Sequence, residues 1–250
     1  MYISYKKHGI RIGQVWFEEA FEPKKEKLPQ LLLIHGCKEE KHGSNVKNEI
    51  FHSLVSDLTV EEDLLYSGIQ KNVRYEIRKN QKETVTVHVF DAGELQKNPQ
   101  ELHNLEEMYQ VMYRSKGMKH SLNHEQMLQY ARTGGLLLTE IRQEQTPLVI
   151  HSYLTDGKQV RLLHSVSEFR EEGMDANLVA RANKRLHWED LKKFREMGME
   201  SYDWGGISNP ENPNGIDSFK MKFGGTPVTY YNVLEATGFL GKLALRLLNK

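Results

Sequence analysis

Two spacings of hydrophobic residues alternate along this chain, one of two residues and one close to four. Residues 2–5 and 10–17 read as short strands separated by Gly9. Residues 22–27, with Pro23 and Pro29, read as a charged turn. Leu31 to Ile34 is a compact apolar run and predicts a buried strand. A polar stretch, 38–48, follows with Gly43 inside it. The first strong helix is predicted to start near Thr59, with Glu62 three residues on as in a capping box, and to run to about Lys82. Within it Leu65, Ile69, Val73 and Ile77 recur at every fourth position and so share a face. Residues 84–90 alternate as a strand, and 99–115 and 123–133 carry helical spacing.

The next part is denser in strand signal. Residues 136–142, 148–155 and 159–166 predict three consecutive strands, with turns at 143–147 and at Asp156-Gly157. Asp175 is placed to cap a long helix over 176–197, which Gly198 stops. A short strand at 201–204 precedes a loop enforced by Asn209-Pro210 and Asn212-Pro213-Asn214-Gly215. One or two helical turns at 216–222, a strand at 226–232 and a closing helix at 237–248 complete an α+β layout: a meander, a long helix, then a further strand.

Composition narrows the function classes. At 250 residues the chain suits one large domain or two small ones. Lys+Arg and Asp+Glu both number 34, which disfavours a globally basic nucleic-acid binder but leaves room for a local basic stripe. Cys37 is the single cysteine, so an intrachain disulfide and a cysteine metal cluster are excluded. No run approaches the ~20 apolar residues of a membrane span, and the start lacks the apolar core of a secretory signal, so a cytoplasmic location is expected.

Several motifs fail. Leu31-Leu32-Leu33-Ile34-His35-Gly36 looks like the strand and oxyanion loop of an α/β-hydrolase, but no Gly-x-Ser-x-Gly elbow exists to present a nucleophile. The phosphate-cradling and dinucleotide-binding glycine patterns are absent. His124-Glu125 is not followed by a second histidine at the spacing a zinc protease needs, and the eleven histidines are scattered, so no metal site is expected.

Two segments do stand out together. One is Asn72-Val73-Arg74-Tyr75-Glu76-Ile77-Arg78-Lys79. The other is Tyr202-Asp203-Trp204-Gly205-Gly206-Ile207, followed by Gly215-Ile216-Asp217-Ser218-Phe219-Lys220-Met221-Lys222-Phe223-Gly224-Gly225. In this order the pair resembles the Fem family, aminoacyl-transferases built on the GNAT acyltransferase fold that extend peptide bridges of bacterial cell-wall precursors. The resemblance covers about residues 50–233. It implies a GNAT-like mixed, mostly antiparallel sheet flanked by helices. Fem enzymes usually carry two complete lobes, so it also implies a truncated N-terminal lobe, 1–82, before a complete lobe at 83–250. The implied activity is amide formation, with aminoacyl-tRNA or, as runner-up, acyl-CoA as donor and an amine such as a cell-wall precursor as acceptor. No tightly bound cofactor and no metal are implied. A catalytically silent GNAT-like binding module is the rival reading.

The residues that would carry this chemistry can be named. Lys220, beside Phe219, stands by the transfer site in the resemblance and would stabilise negative charge on a tetrahedral intermediate. Asp203 would bind or deprotonate the acceptor ammonium, or else cap the loop after it. Gly205 and Gly206 would let substrate approach the backbone closely. His164 shares a face with Leu162 and Val166 by period-two alternation, as a proton acceptor or as a packed core residue. Lys71, Arg74, Arg78 and Lys82 make a basic stripe, which with Lys79 would contact phosphates or else form a solvated face. Arg170, Gly173 and Asp175 occupy the turn that holds a pyrophosphate in GNAT enzymes, but the Asp175 carboxylate would repel one, favouring the tRNA donor. The closing helix, with Phe239, Leu240, Leu243, Leu247 and Leu248 against Lys242 and Arg246, is expected either to pack on the domain or to touch a membrane surface.

Overall fold

A computed structural model describes residues 1–7, 9–18, 21, 28–168 and 175–248. The described chain begins with β1 (Tyr2–Lys7), β2 (Ile10–Val15), β3 (Leu31–Cys37) and β4 (Val46–Asp57). Next come α1 (Glu62–Gly68), α2 (Lys71–Asn80), β5 (Thr86–Phe90), α3 (Ala92–Lys97), α4 (Gln100–Arg114) and α5 (His124–Arg132). The remaining elements are β6 (Leu136–Gln143), β7 (Thr146–Thr155), β8 (Gln159–Ser167), α6 (Ala176–Glu196), β9 (Ser201–Asp203), α7 (Gly215–Met221), β10 (Thr226–Ala236) and α8 (Gly238–Leu248).

The chain divides into two compact units, Met1–Ser53 with Pro227–Lys250, and Leu54–Thr226. In the smaller, β1 and β2 pair antiparallel, β2 and β3 parallel, and β3 and β10 antiparallel, with the first part of β4 beside β10. Val15, Leu32, Ile34, Cys37 and Val233 form its core. Leu245 fastens α8 to Leu31 and Ala236, while Phe239, Leu240, Leu243 and Leu247 of that helix are exposed.

The larger unit contains the expected meander. β5, β6, β7 and β8 pair antiparallel in sequence order, and the end of β4 pairs antiparallel with β9. β9 joins β8 in parallel over three residue pairs only, Gln159–Arg161 against Ser201–Asp203. Beyond Asp203 the strand order has ended while β8 continues to Ser167, and the two backbones diverge. α6 lays Leu178, Val179, Ala182 and Leu186 on Ile141, Leu148 and Val149. A second cluster, built on Trp204, Tyr202, Tyr153 and Phe194, takes in Val73 and Ile77 of α2. The boundary expected near residue 82 therefore falls inside this unit, because α2 buries its apolar face in the same core as β8 and β9.

The single helix expected over 59–82 is two helices. Ile69 is extended (φ −74°, ψ 134°), and the Gln70 N–H donates to the Lys222 carbonyl at 2.8 Å instead of continuing a helix. Thr59 is no cap, since its N–H and hydroxyl both donate to the Asp57 carboxylate. β4 is a strand that the hydrophobic pattern does not announce. Ser53 and Ser56 hold fully enclosed positions where an apolar residue is the usual sign, and the Ser56 hydroxyl accepts the Trp204 indole N–H at 3.0 Å. α3, six residues with an Asp91–Glu94 capping box, is too short for periodicity to register.

Candidate active site

The divergence of β8 and β9 opens a cavity of about 400 Å³. Leu162, Ser165 and Ser167 of β8 line one side, Asn183 and His187 of α6 the floor, Phe219 and Lys220 of α7 another side, and Val111 and Met112 of α4 the rim. The opening depends on glycine. Gly205 has φ +65°, and a Cβ there would sit 2.0 Å from the Leu162 carbonyl oxygen, so only glycine lets the chain turn against β8. Asp203 fixes that turn by accepting the Gly205 N–H at 2.8 Å, with Arg161 Nη1 3.7 Å from its other oxygen.

Helix α7 is anchored where it starts. The Asn214 side chain accepts the N–H groups of Ile216 and Asp217, and the Asp217 carboxylate returns to the Asn214 N–H. Asp217 also accepts the Ser208 N–H and hydroxyl. Burial alone would raise this carboxyl, but the bonds from Ser208 and from the backbone of Asn214 and Asn209 outweigh it and hold it below the usual range.

This anchoring aims Lys220. Its ammonium donates to the carbonyls of Gly205 at 2.5 Å and Gly206 at 2.7 Å. Burial lowers its pKa to about 8, although Asp203 and Asp217 pull the other way. An ammonium has three donors, and among the described residues the third meets no acceptor. It remains for a guest in the cavity that Lys220 lines. Phe219 packs edge-on to Phe223, ring centroids 5.4 Å apart, and stands 5.6 Å from the His187 ring.

Behind the cavity runs a buried polar network. His187 Nδ1 is 3.4 Å from the Tyr202 hydroxyl, which is 3.0 Å from that of Tyr153. Tyr153 donates to Asp190 at 2.5 Å, and His151 Nδ1 meets the same carboxylate oxygen at 2.7 Å. His151 Nε2 is 2.9 Å from the Asn183 side-chain oxygen, which brings the network back to the cavity. Burial pushes His187 well below its ordinary value, with His151 and Lys220 adding to the effect, so its imidazole is neutral. Burial likewise pushes Tyr153 and Tyr202 well up. The arrangement offers a cationic donor on one wall and an uncharged imidazole on the floor. Sequence reasoning passed over His187, His151, Asp190 and Asn183. The available signal was Asn183, His187 and Asp190 at i, i+4 and i+7, polar residues on the buried face of an amphipathic helix.

The named candidates fall into groups. Phe219 and Lys220 line the cavity, and Gly205 and Gly206 supply the carbonyls that hold Lys220. Asp203 sits next to them but serves the turn. His164 lies elsewhere. Ser152 pairs with His164 and Tyr153 with Leu162, so Leu163 is a bulged extra residue and the alternation slips by one. Leu162, Ser165 and Ser167 face the cavity, while His164 faces Ser152 (2.8 Å) and the Tyr109 ring. Arg74 and Arg78 of α2 do not line the cavity: Arg74 lies over the Tyr66 ring and Arg78 donates to the Tyr66 hydroxyl, while Lys79 is exposed. Asp175 is the N-cap of α6, accepting the Asn177 N–H at 2.8 Å. Arg170 and Gly173 lie outside the described residues.

The fold and the splayed-strand cleft define the class as a GNAT-like acyltransferase fold. No protein-family model and no curated protein matches the sequence. Solved structures do. FemX is similar with a TM-score of 0.63 at 12% identity, over 89% of this chain and 75% of that one. The C-terminal domain of a putative lysylphosphatidylglycerol synthetase from Agrobacterium fabrum gives 0.56 at 13% identity, over 86% of this chain and 70% of that one. L-PGS from Bacillus licheniformis gives 0.51 at 13% identity, over 87% and 71%. The GNAT-like α+β fold that the resemblance implied is therefore the fold of this chain.

Proposed function

We propose that this protein is a Fem-like acyltransferase that forms an amide by moving an aminoacyl group from aminoacyl-tRNA to an amine, with a cell-wall precursor as the acceptor type. The observation that carries this reading is Lys220, held by two glycine carbonyls with one N–H left for the cavity. The acceptor nitrogen attacks the ester carbonyl, and the new oxyanion takes the free Lys220 N–H. Such a donor is worth about 2.7–4 kcal/mol in the transition state. Collapse breaks the ester C–O bond, and the ribose oxygen leaves as its hydroxyl by taking up the proton that the amine has given up. The neutral His187 imidazole is the nearest candidate to receive the proton the amine gives up.

The tRNA donor is preferred over acyl-CoA because the Asp175 carboxylate already occupies the N-terminus of α6, where a pyrophosphate would otherwise bind. A cavity of about 400 Å³ takes an acyl or aminoacyl group and leaves the rest of the donor outside. The exposed Phe239, Leu240, Leu243 and Leu247 of α8 are the surface proposed to meet a bilayer when the acceptor is lipid-linked.

The test is turnover: purified protein, a panel of charged tRNAs and acyl-CoAs, candidate amines, and mass spectrometry of products. A new amide made from charged tRNA, and lost in Lys220→Met, supports the reading. Thermal stabilisation and turnover with acyl-CoA alone would reverse the donor. Ligand binding without product under any condition would make the protein a silent module. Co-sedimentation with anionic vesicles, lost in Phe239→Ser with Leu240→Ser, checks the membrane surface.

A further inference from the structure

The histidines that look scattered in the sequence meet at one place outside the cavity. His103 and Glu106 are three residues apart on α4 and so share its face. His124 is the first residue of α5, held there by the Asn123 cap. The Glu106 carboxylate, half-buried, stands between the two imidazoles: Oε1 is 2.6 Å from His124 Nδ1, and Oε2 is 3.7 Å from His103 Nδ1. The two rings are nearly parallel, 8° apart in plane, with centroids at 5.3 Å. One ligand atom from each of the three residues lies within 4.8 Å of the others.

We propose that His103, Glu106 and His124 bind a divalent transition metal of the zinc type, with water completing the shell. Two imidazole nitrogens and one carboxylate oxygen match the donor preference of such an ion. Metal–ligand bonds of about 2.0–2.2 Å put tetrahedral ligand atoms about 3.4 Å apart, between the 2.6 Å of the Glu106–His124 pair and the 3.7 Å of the Glu106–His103 pair. The partly exposed His103 and His124 side chains adjust to that spacing by turning, while Glu106 stays at the centre.

A second trio, His151, His187 and Asp190, also has its ligand atoms close together. There, however, the nitrogens and the carboxylate are already engaged with Asn183, Tyr202 and Tyr153, and all three residues are buried. The α4–α5 trio engages only its own members and is half-open to solvent, so an ion can reach it and displace the proton between Glu106 and His124.

The site has a structural consequence. The metal ties α4 to the start of α5 across the segment 106–124, and Val111, Met112 and Lys116 of that segment line the cavity. Loading therefore fixes the helix that forms the cavity rim.

The test uses full-length protein stripped with chelator, titrated with Zn2+ by calorimetry and with Co2+ by visible absorption. One equivalent is expected to bind, to raise the melting temperature, and to give the strong visible bands of low-coordinate Co2+. Binding is expected to weaken at least about tenfold in both His103→Gln and His124→Gln, with unchanged circular dichroism. It also weakens on acidification, because protons compete for the imidazoles. Absence of one-equivalent binding, or binding that both variants retain, overturns the site. Neither outcome depends on the acyltransferase reading.

Discussion

Two cations of the larger unit are held in opposite ways. Arg142 on β6 is clasped by carboxylates: its guanidinium pairs with Glu140 through Nε and through Nη2 at 3.0 Å, and with Glu101 at 2.7 Å. The bond to Glu140 holds the guanidinium firmly protonated, further up than an isolated arginine. Among the described residues Lys220 makes no hydrogen bond to a carboxylate, although Asp203 and Asp217 act on it from nearby. Its charge rests on two peptide carbonyls, and burial lowers its pKa to about 8. The first cation is neutralised by two carboxylates. The second is under-compensated and borders a cavity. The contrast separates a charge that keeps the fold together from a charge kept available for chemistry.

The largest expected effect tests the structural half. Arg142→Met leaves Glu140, 1% exposed, without its partner. Removing one member of a buried pair costs about 3–5 kcal/mol, so urea unfolding of the variant is expected to show a loss near that range. A loss under about 1 kcal/mol, the level of a surface pair, would mean that Glu140 is as well solvated as Lys220 is not.

Next comes Lys220→Met. Transfer is expected to fall by about 10²–10³ in kcat, while stability is unchanged or higher, because an apolar side chain replaces a buried charge. The pH dependence sharpens the comparison. Activity that needs the protonated ammonium falls as pH rises through about 8. The stability sign runs the other way. The folded pKa of about 8 lies below the ordinary 10.5, so between those values the unfolded chain binds more protons, and stability rises with pH. The variant is expected to lack that rise. An activity that instead climbs through pH 8 would make Lys220 a base rather than an electrostatic donor.

How much of this was legible depends on what each feature needs from distant residues. Phe219, Lys220, Gly205 and Gly206 carry local marks: paired glycines that demand φ > 0, and a capped short helix. The structure brings these residues together at one cavity. The meander β6–β8 was legible because each strand is a run rich in apolar and β-branched residues and each turn has its own residues. β4 was not, because buried serines occupy its core positions. The polar floor could not be assembled from the sequence either. His151 lies on β7 and Asp190 on α6, 39 residues away, and only the packing of α6 on the sheet joins them. The break between α1 and α2 likewise follows from a tertiary bond, Gln70 to Lys222, which periodicity does not see.

The smallest expected effect concerns His164, where one bulged residue decides between chemistry and packing. Period-two alternation aims His164 at the Leu162 side, whereas the extra residue Leu163 turns it toward Ser152. His164→Gln is therefore expected to leave kcat unchanged and to cost about 1 kcal/mol of stability through the lost Ser152 bond. Burial lowers the His164 pKa to about 4 against an ordinary 6.5, so between these values the unfolded chain holds the extra proton. Its contribution is present above pH 6.5 and is lost as pH falls toward 4. Relative to His164→Gln, the wild type is expected to lose stability over that interval, read as the difference between two urea series. A fall of about tenfold in kcat, about 1.4 kcal/mol, with an altered pH–rate profile would place His164 in the cavity and shift the register of β8 back by one residue.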